Sequence, residues 1–446
     1  MKVSILGGGG TRTPILVKGL LSLTEDFQLK EISIMDVDEE RLLLIKKVLD
    51  EIARDKGDKV RLTYTQDVKV SMENAAFVIC TICVGGDGLR IIDEKVPLSF
   101  GLLGQETTGP GGFAMAVRTL PRVLEIARLL SEINPDAWLI NFTNPSGIVT
   151  QAILDHTPLK KVLGICDAPS SLHKEIAYSL GRKGEEVFID YFGINHFGWI
   201  KGVYVDGKDL LPSMIEFLKN KPEFENITRF PVDFLVLIKM LPNPYPYYYY
   251  FKEDAVKELL SEEKTRGEIV KEINDRLFKS LKEGGNPLSN YINYIRIRES
   301  YSSDLKDWDL EEKEERILSG GEGYIDVALK VIKGLTRGDG EVAIVNSTNL
   351  NSIPGLKEDD VVEVPTLLRK NFIRPLSVGS IPEECLYILK QLKEYERLVV
   401  EGVTTSSYST LVHALTLNPW VPSYNVAKKI LDTFMKEESA YFPLLE

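Results

Sequence analysis

Three short segments decide the fold of this chain. Residues 138–147 read WLINFTNPSG, residues 162–171 read VLGICDAPSS and residues 190–199 read DYFGINHFGW. Each begins with an apolar run typical of a buried strand and continues at once into small, polar and turn-forming residues. Ligands bind at the carboxyl ends of the strands of an open parallel sheet. The segments therefore predict one rim that carries a thiol, an imidazole, a carboxylate and three amides: Asn141, Asn144, Cys166, Asp167, Asn195 and His196.

Strand-like and helix-like segments alternate through the first half of the chain, and a long helix is predicted from Phe113 to about Glu132. The strand-like segments are KVSIL (2–6), EISIMD (31–36), RLTYT (61–65), AAFVICTIC (75–83) and AWLIN (137–141). This alternation predicts an α/β fold with a doubly wound parallel sheet of the Rossmann type. From Phe188 to Val205 the pattern changes to alternating strands, and mixed helices and loops follow. We therefore predict a Rossmann-like domain over 1–200 and an α+β domain over 201–446.

The loop after the first predicted strand is rich in glycine and reads Gly7-Gly8-Gly9-Gly10-Thr11. Glycines let the backbone approach a phosphate closely, at the start of a helix whose free N–H groups favour an anion. Asp36 ends the second strand, where a carboxylate accepts hydrogen bonds from a ribose diol. A tight turn and a helix-capping aspartate would give the same residues. Together the two features favour a dinucleotide, NAD rather than NADP.

Composition excludes several classes of function. The 446 residues carry a formal net charge of −12, which argues against nucleic acid or an anionic membrane as a partner. No apolar run reaches the length of a membrane span. Cys80 and Cys83 have C-x-x-C spacing but lie within an apolar run, so a reduced buried strand is the better interpretation. These features predict a cytoplasmic protein.

Two side chains of the predicted rim suit a divalent cation. Cys166 and His196 are expected at the ends of two adjacent strands, and thiolate and neutral imidazole are good ligands for first-row metals. From spacing alone the ordinary interpretation, a buried thiol and a satisfied histidine, is the better one. The segment 84–112 is long and glycine-rich, which is typical of a functional loop, and its Arg90 is a candidate substrate contact. Tyr245, between two prolines, is held rigidly.

The motifs GGGGTRTP (7–14), GQETTGPGG (104–112), NFTNPSG (141–147), GICDAP (164–169), GINHFGW (193–199), NPY (243–245) and TRGE (265–268) occur in this order. As an ordered set they resemble glycoside hydrolase family 4. The resemblance implies NAD- and Mn²⁺-dependent cleavage of glycosides, many of them 6-phosphorylated, on a fold similar to lactate and malate dehydrogenases. Such enzymes are exceptions to the two-carboxylate mechanism of glycoside hydrolysis.

The resemblance also implies a role for each candidate residue. NAD, held by the glycine loop and Asp36, would oxidise C3 of the sugar, and Mn²⁺ or another divalent ion on Cys166 and His196 would polarise the resulting ketone. Tyr245 would remove the C2 proton, and Asp167 would protonate the leaving oxygen. The expected substrate contacts are Arg90, Asn144, Asn195 and Arg266.

The overall resemblance favours the 6-phospho-β-glucosidase branch. Asp167, however, is typical of the phospho-α-glucosidase type, and Ser319 stands where the family has the arginine of an Arg-Gly-Gly motif. A 6-phospho-α-glucosidase, a glycosidase of unphosphorylated sugars, an NAD-dependent sugar or hydroxy-acid dehydrogenase, and a catalytically silent sensor remain alternatives. Clustered tyrosines at 247–250 and amphipathic C-terminal helices predict a homodimer or homotetramer.

Overall fold

The structure is a computed structural model that describes residues 1–54, 59–219, 229–301 and 324–446. Ser319, where the family's arginine is replaced, lies outside the described residues.

The described residues form one large sheet and one small sheet. The large sheet has nine strands in the order β13-β12-β11-β6-β5-β4-β1-β2-β3, and the small sheet has four. The strands are β1 (Lys2–Leu6), β2 (Glu31–Met35), β3 (Arg61–Thr65), β4 (Phe77–Cys80), β5 (Trp138–Asn141), β6 (Val162–Gly164), β7 (Phe188–Ile194), β8 (Phe197–Val205), β9 (Lys208–Asp209), β10 (Leu241–Pro242), β11 (Glu341–Thr348), β12 (Val361–Arg369) and β13 (Phe372–Pro375).

Six parallel strands in the order β3-β2-β1-β4-β5-β6 form the predicted doubly wound half of the large sheet. The strand order reverses between β1 and β4, and such a switch point opens a crevice for a ligand at the carboxyl ends of the strands. Antiparallel β11 pairs with β6 through Asn346 and Gly164, and β12 follows with Glu363 opposite Asn346. Strands from the second half of the chain therefore complete the sheet of the first half. The predicted boundary at residue 200 stays a prediction.

Helices cover both faces of this sheet, as the burial of its central strands requires. Successive side chains of β1 and β4 alternate between two apolar clusters, with Val3 and Ile5 in one and Val78 and Cys80 in the other. The helices are α1 (Thr13–Ser22), α2 (Thr24–Phe27), α3 (Glu39–Ala53), α4 (Val68–Met72), α5 (Gly86–Ser99), α6 (Gly109–Ile133), α7 (Ser146–His156), α8 (Ala168–Ser179), α9 (Leu211–Lys219), α10 (Val232–Ile238), α11 (Tyr247–Tyr250), α12 (Lys252–Ser261), α13 (Arg266–Glu283), α14 (Pro287–Ser300), α15 (Tyr324–Arg337), α16 (Glu383–Thr404), α17 (Tyr408–Leu417) and α18 (Tyr424–Glu437). Among the described residues, none of these helices combines the length and the apolar character of a membrane span.

The third segment of the predicted rim folds differently from the other two. β7 and β8 form an antiparallel hairpin in the small sheet, and Asn195-His196 is its two-residue loop. The expectation that Cys166 and His196 end two adjacent strands is therefore wrong, because β6 lies between β5 and β11 in the large sheet, whereas β7 belongs to the small sheet. The alternation of β7 and β8 between two apolar clusters favours a two-faced hairpin over a buried parallel strand.

The glycine-rich segment 84–112 contains a helix and is not an open loop. Helix α5 occupies Gly86–Ser99, preceded by Gly85 in a left-handed conformation at φ 82°. Only residues 100–108 then connect to α6, which begins at Gly109 rather than at Phe113. The glycines at the start mark the turn into the helix, and the amphipathic stretch after them forms it.

Candidate active site

The glycine loop turns tightly between β1 and α1. The N–H groups of Gly7 and Gly8 both donate to the carbonyl of Met35, at 3.0 and 2.7 Å. A Cβ on Gly7 would lie 2.6 Å from the carbonyl oxygen of Thr81, and one on Gly8 would lie 2.2 Å from Cγ2 of Ile34. Since these positions exclude any side chain, the loop backbone packs closely against the ends of β2 and β4 at the switch point, where a Rossmann fold binds a pyrophosphate.

Asp36 supports this loop and does not cap the next helix. Its Oδ2 accepts a hydrogen bond from Gly9 N at 2.7 Å, and its Oδ1 accepts one from Asp38 N at 3.0 Å. The helix cap is Asp38, which accepts from Arg41 N at 3.0 Å. The carboxylate of Asp36 is thus fixed beside the glycine loop, where a ribose would be recognised in a Rossmann fold.

The far end of the loop is held by helix α14. Tyr291 donates to the carbonyl of Thr11, and Tyr294 donates to Oγ1 of Thr11, both at 2.9 Å. Arg12 follows at the start of α1, and its charge lowers the pKa of Asp167 against the raising effect of burial. The glycine loop and the motif that follows β6 therefore lie close together.

Asn195 links the two candidate metal ligands. Its side chain forms a hydrogen bond with the thiol of Cys166, and its Oδ1 accepts from Gly147 N at 3.3 Å. Cys166 is buried, and burial raises the pKa of its thiol well above the usual range. Metal binding at such a cysteine is coupled to loss of its proton. The next residue after Asn195 is His196, so the hairpin loop that interacts with Cys166 also carries the imidazole.

His196 has the state and surroundings of a metal ligand. It adopts a left-handed backbone conformation at φ 62°, which is uncommon for residues other than glycine. Burial lowers the pKa of the imidazole to about 4, against the opposing charge of Glu106 and a hydrogen bond with the backbone of Thr107, so the ring is neutral near pH 7. Its Nδ1 is buried, and within the described residues nothing forms a hydrogen bond with it. A buried, neutral nitrogen without a described hydrogen-bond partner fits a divalent cation, and the preceding residue, Asn195, interacts with the thiol of Cys166.

The ring of Tyr245 stacks on the ring of His196, with centroids 3.9 Å apart and planes 13° apart. Asn243 fixes the tyrosine backbone, because its Oδ1 accepts from Tyr245 N at 3.0 Å. Four aromatic residues follow in α11, and Tyr248 contacts the ring of Tyr245 edge-on at 6.3 Å. The NPY motif therefore places its phenol directly against the candidate metal-binding imidazole.

Positive charge surrounds this centre. Arg90 pairs with Glu106 at 2.6 Å, and the charges of Arg90 and Arg266 outweigh burial and lower the pKa of Glu106. Arg266 begins α13, capped by Thr265, and lies close enough to act on Asp167 as well. Glu94 fixes this helix start by accepting from Gly267 N at 2.7 Å.

Burial raises the pKa of Asp167, with Arg12 and Arg266 opposing it. Its carboxylate accepts from the thiol of Cys166 at 3.8 Å. A carboxyl with a raised pKa next to the candidate metal site has the protonation tendency that a general acid needs.

One candidate is not tied to the others by a described contact. Asn144 lies half-buried in the loop between β5 and α7, and no hydrogen bond of its side chain is resolved within the described residues. Asn141, from the same predicted rim, is fully buried and donates to the carbonyl of Thr143 at 3.1 Å, so it stabilises the loop. The described residues contain no group of three or more His, Cys, Asp or Glu side chains arranged for a metal ion.

Three residues of the centre are not among the predicted site residues. Glu106 lies in the same segment 84–112 as Arg90 and pairs with it across the turn from α5 to α6. Arg298 of α14 is near Arg12, Arg90 and Arg266, and burial together with these charges lowers its pKa to about 10. Glu363 on β12 is 1% exposed, and burial raises its pKa to about 7. The sequence does mark Glu363, because a single acidic residue within the apolar run VVEVPTLL (361–368) is unusual for a buried strand.

Comparison with known proteins agrees with this arrangement. Residues 2–182 match the sequence model of the family 4 glycosyl hydrolases, and residues 191–421 match that of the family's C-terminal domain. The 6-phospho-β-glucosidase of Thermotoga maritima is 31% identical over 444 residues, covering 100% of both chains. Its structure with manganese, NAD⁺ and glucose-6-phosphate matches this one with a TM-score of 0.85. A maltose-6'-phosphate glucosidase of Clostridium acetobutylicum is 31% identical, covering 99% of both chains.

A malate dehydrogenase from Plasmodium falciparum, 13% identical, matches with a TM-score of 0.51 over 91% of this chain and 99% of its own. That likeness concerns the fold alone and confirms the predicted dehydrogenase-like architecture. The two family matches together span most of the chain, in the same order as the motifs. The chain therefore belongs to the family 4 glycosyl hydrolases.

Proposed function

We propose that this enzyme hydrolyses 6-phospho-β-glucosides with NAD and Mn²⁺ as bound cofactors. The observation that carries the proposal is the stacking of Tyr245 on His196, in the hairpin loop whose Asn195 interacts with Cys166, with Arg12, Arg90, Arg266 and Arg298 near one another. The names of its relatives support the substrate class, and the Thermotoga maritima structure supports the cofactors.

The residues suit the two cofactors. Gly7–Gly10, Thr11 and Asp36 would hold NAD, and Cys166 and His196 would hold Mn²⁺. When bound, the nicotinamide and the cation supply reversible oxidation at C3 of the sugar and Lewis-acid polarisation of the resulting carbonyl.

Tyr245 would take the proton from C2, because its ring lies on the imidazole at the centre of the site. Asp167 would give a proton to the glycosidic oxygen, as its raised pKa favours. Asn144 and Asn195 would orient sugar hydroxyls. The proton lost from C2 and the proton gained by the leaving oxygen thus each have a named residue on this chain.

The 6-phosphate would be bound by the arginines. Arg90, Arg266 and Arg298 act on one another and on Arg12 through their charges, and this concentration of guanidinium groups suits a phosphate dianion. Arg298 thereby offers a basic contact of the kind that Ser319 lacks.

A second candidate substrate class is the 6-phospho-α-glucosides. Asp167, next to the thiol of Cys166, favours it, since this acid is typical of the α-type in the family. Relatives of both kinds have similar identity to this chain.

The test is hydrolysis of a panel of aryl glucosides, α- and β-linked, with and without the 6-phosphate. The expected result is cleavage of the phosphorylated β-glucoside only in the presence of NAD and Mn²⁺. Activity after complete removal of both cofactors would overturn the mechanism. Preference for the α-linked compound would select the second candidate, and net accumulation of NADH would indicate a dehydrogenase.

The proposal also covers the two domains, the oligomeric state and the location of the enzyme. Residues 1–200 would bind NAD, and residues 201–446 would bind substrate and join copies into a homodimer or homotetramer. A cytoplasmic location is supported by four free cysteines, which suit a reducing compartment. The number of chains in the oligomer is measured by sedimentation.

A further inference from the structure

Glu363 is a buried carboxylate that the proposed chemistry does not use. It lies on β12 with 1% of its surface exposed. A buried charge costs free energy relative to an apolar side chain of similar size, even when it is paired. Its neighbours on the strand, Val362 and Val364, are apolar and fully buried. A function in the site would explain a carboxylate at this position.

Three side chains donate to this carboxylate, and they come from three elements. Tyr191 donates from β7 at 2.8 Å and Asn346 from β11 at 2.9 Å. Asn195 donates from the hairpin loop at 3.5 Å. The pairing of Asn346 with both Gly164 and Glu363 places the carboxylate at the end of β6, just below Cys166.

One branch of the network leads to the candidate metal ligands. Asn195 uses its amide nitrogen on Glu363 and also forms a hydrogen bond with the thiol of Cys166. His196, the next residue, adopts the left-handed backbone of the hairpin loop. Asn195 therefore ties the carboxylate of Glu363 both to the thiol of Cys166 and to the loop that carries His196.

The other branch leads to Tyr245. The hydroxyl of Tyr191 donates to Glu363 and accepts from Asn243 Nδ2 at 2.8 Å. Asn243 is fully buried, and its Oδ1 accepts from Tyr245 N at 3.0 Å. One carboxylate is thus connected to the metal-ligand loop and, through three successive hydrogen bonds, to the backbone of the candidate base.

We propose that Glu363 is a positioning residue that fixes the Asn195-His196 loop and the Tyr245 loop relative to each other. This inference rests on the proposed function of the site. Residues that orient metal ligands from behind typically change metal affinity by about 10- to 100-fold when they are altered. Catalytic geometry is sensitive to displacements of an ångström.

The test compares Glu363→Gln with the matched control Asp360→Asn. Asp360 is 2% exposed and accepts from Lys357 N at 2.9 Å and from Arg397, neither of which is a residue of the proposed site. Both variants exchange a buried carboxylate for an amide of the same shape. Mn²⁺ affinity is measured by the electron paramagnetic resonance signal of the free ion, and NAD affinity by calorimetry.

Glu363→Gln should weaken Mn²⁺ binding by about 10- to 100-fold while NAD affinity stays within about twofold. Asp360→Asn should lower thermal stability and leave both affinities unchanged. Tyr191→Phe, which keeps the Asn195 branch, should lower kcat and C2 proton exchange with little change in Mn²⁺ affinity. This variant also serves if Glu363→Gln does not fold.

Unchanged Mn²⁺ affinity in Glu363→Gln, or unchanged proton exchange in Tyr191→Phe, would overturn the inference. Equal losses of Mn²⁺ and NAD affinity in Glu363→Gln would do the same, since they would indicate a structural role only. Failure of the wild-type enzyme to bind Mn²⁺ would instead overturn the proposed function, so the two failures are distinguishable.

Discussion

The substitution Gly9→Ala tests the nucleotide site through a clash that the structure defines. A Cβ at position 9 would lie 2.9 Å from Oδ2 and 3.0 Å from Cγ of Asp36. Contacts this short require the carboxylate to move. The move would break the 2.7 Å hydrogen bond that Gly9 N donates to Asp36 and would shift the group expected to hold the ribose.

A hydrogen bond to a charged group contributes about 1.5–3 kcal/mol, and each 1.4 kcal/mol corresponds to about a tenfold change in binding. NAD affinity should therefore fall by about 10- to 100-fold. Overpacking of this kind also destabilises the fold by about 1–3 kcal/mol, which thermal unfolding without nucleotide would report separately.

Calorimetric titration of NAD into the metal-free enzyme is the assay. Gly10→Ala is the matched control in the same loop, because its Cβ would lie 3.2 Å from the carbonyl oxygen of Gly7 and 3.8 Å from Oγ1 of Thr13. That variant should lose much less affinity. If Gly9→Ala binds NAD as the wild-type enzyme does, Asp36 and the glycine loop do not form the nucleotide site.

Three further predictions concern the remaining parts of the site. Cys166→Ser should abolish Mn²⁺ binding and hydrolysis while NAD affinity is kept, as calorimetry with each ligand measures; Mn²⁺ affinity at the wild-type level would remove this ligand from the site. Tyr245→Phe should keep both cofactors but stop incorporation of solvent deuterium at C2; exchange at the normal rate would mean that another base acts. Arg298→Met should raise the KM for the 6-phosphorylated substrate by about 10-fold or more, since loss of a charged hydrogen bond costs about 1.5–3 kcal/mol. The unphosphorylated substrate is its control, and an equal rise in KM for both would exclude a phosphate contact.

Local patterns predict the half of the fold whose strands are buried by neighbouring helices. The strands at 2–6 and 61–65 have the predicted bounds because β-rich runs there end in glycine or polar residues. The glycine loop and Asp36 are also recognisable, since close backbone approach and a carboxylate at the second strand end are local requirements.

Non-local pairing is what the sequence does not reveal. The joining of β11 to β6 depends on residues more than a hundred positions apart, and no local period encodes it. The same applies to the hairpin loop, because a short apolar run followed by Asn195-His196 fits either a parallel strand end or a turn. Glu106 and Arg298 become part of the site only through such distant contacts.

The pairing of β11 with β6 has a consequence for any shortened form of this enzyme. A protein cut at residue 200 would lack β11, β12 and β13, and the backbone of β6 would face water with its hydrogen-bonding groups bare. Bare sheet edges recruit strands from other molecules. Such a fragment should self-associate when it is expressed alone. The two halves, encoded as separate chains, should fold only when they are expressed together and can reassemble.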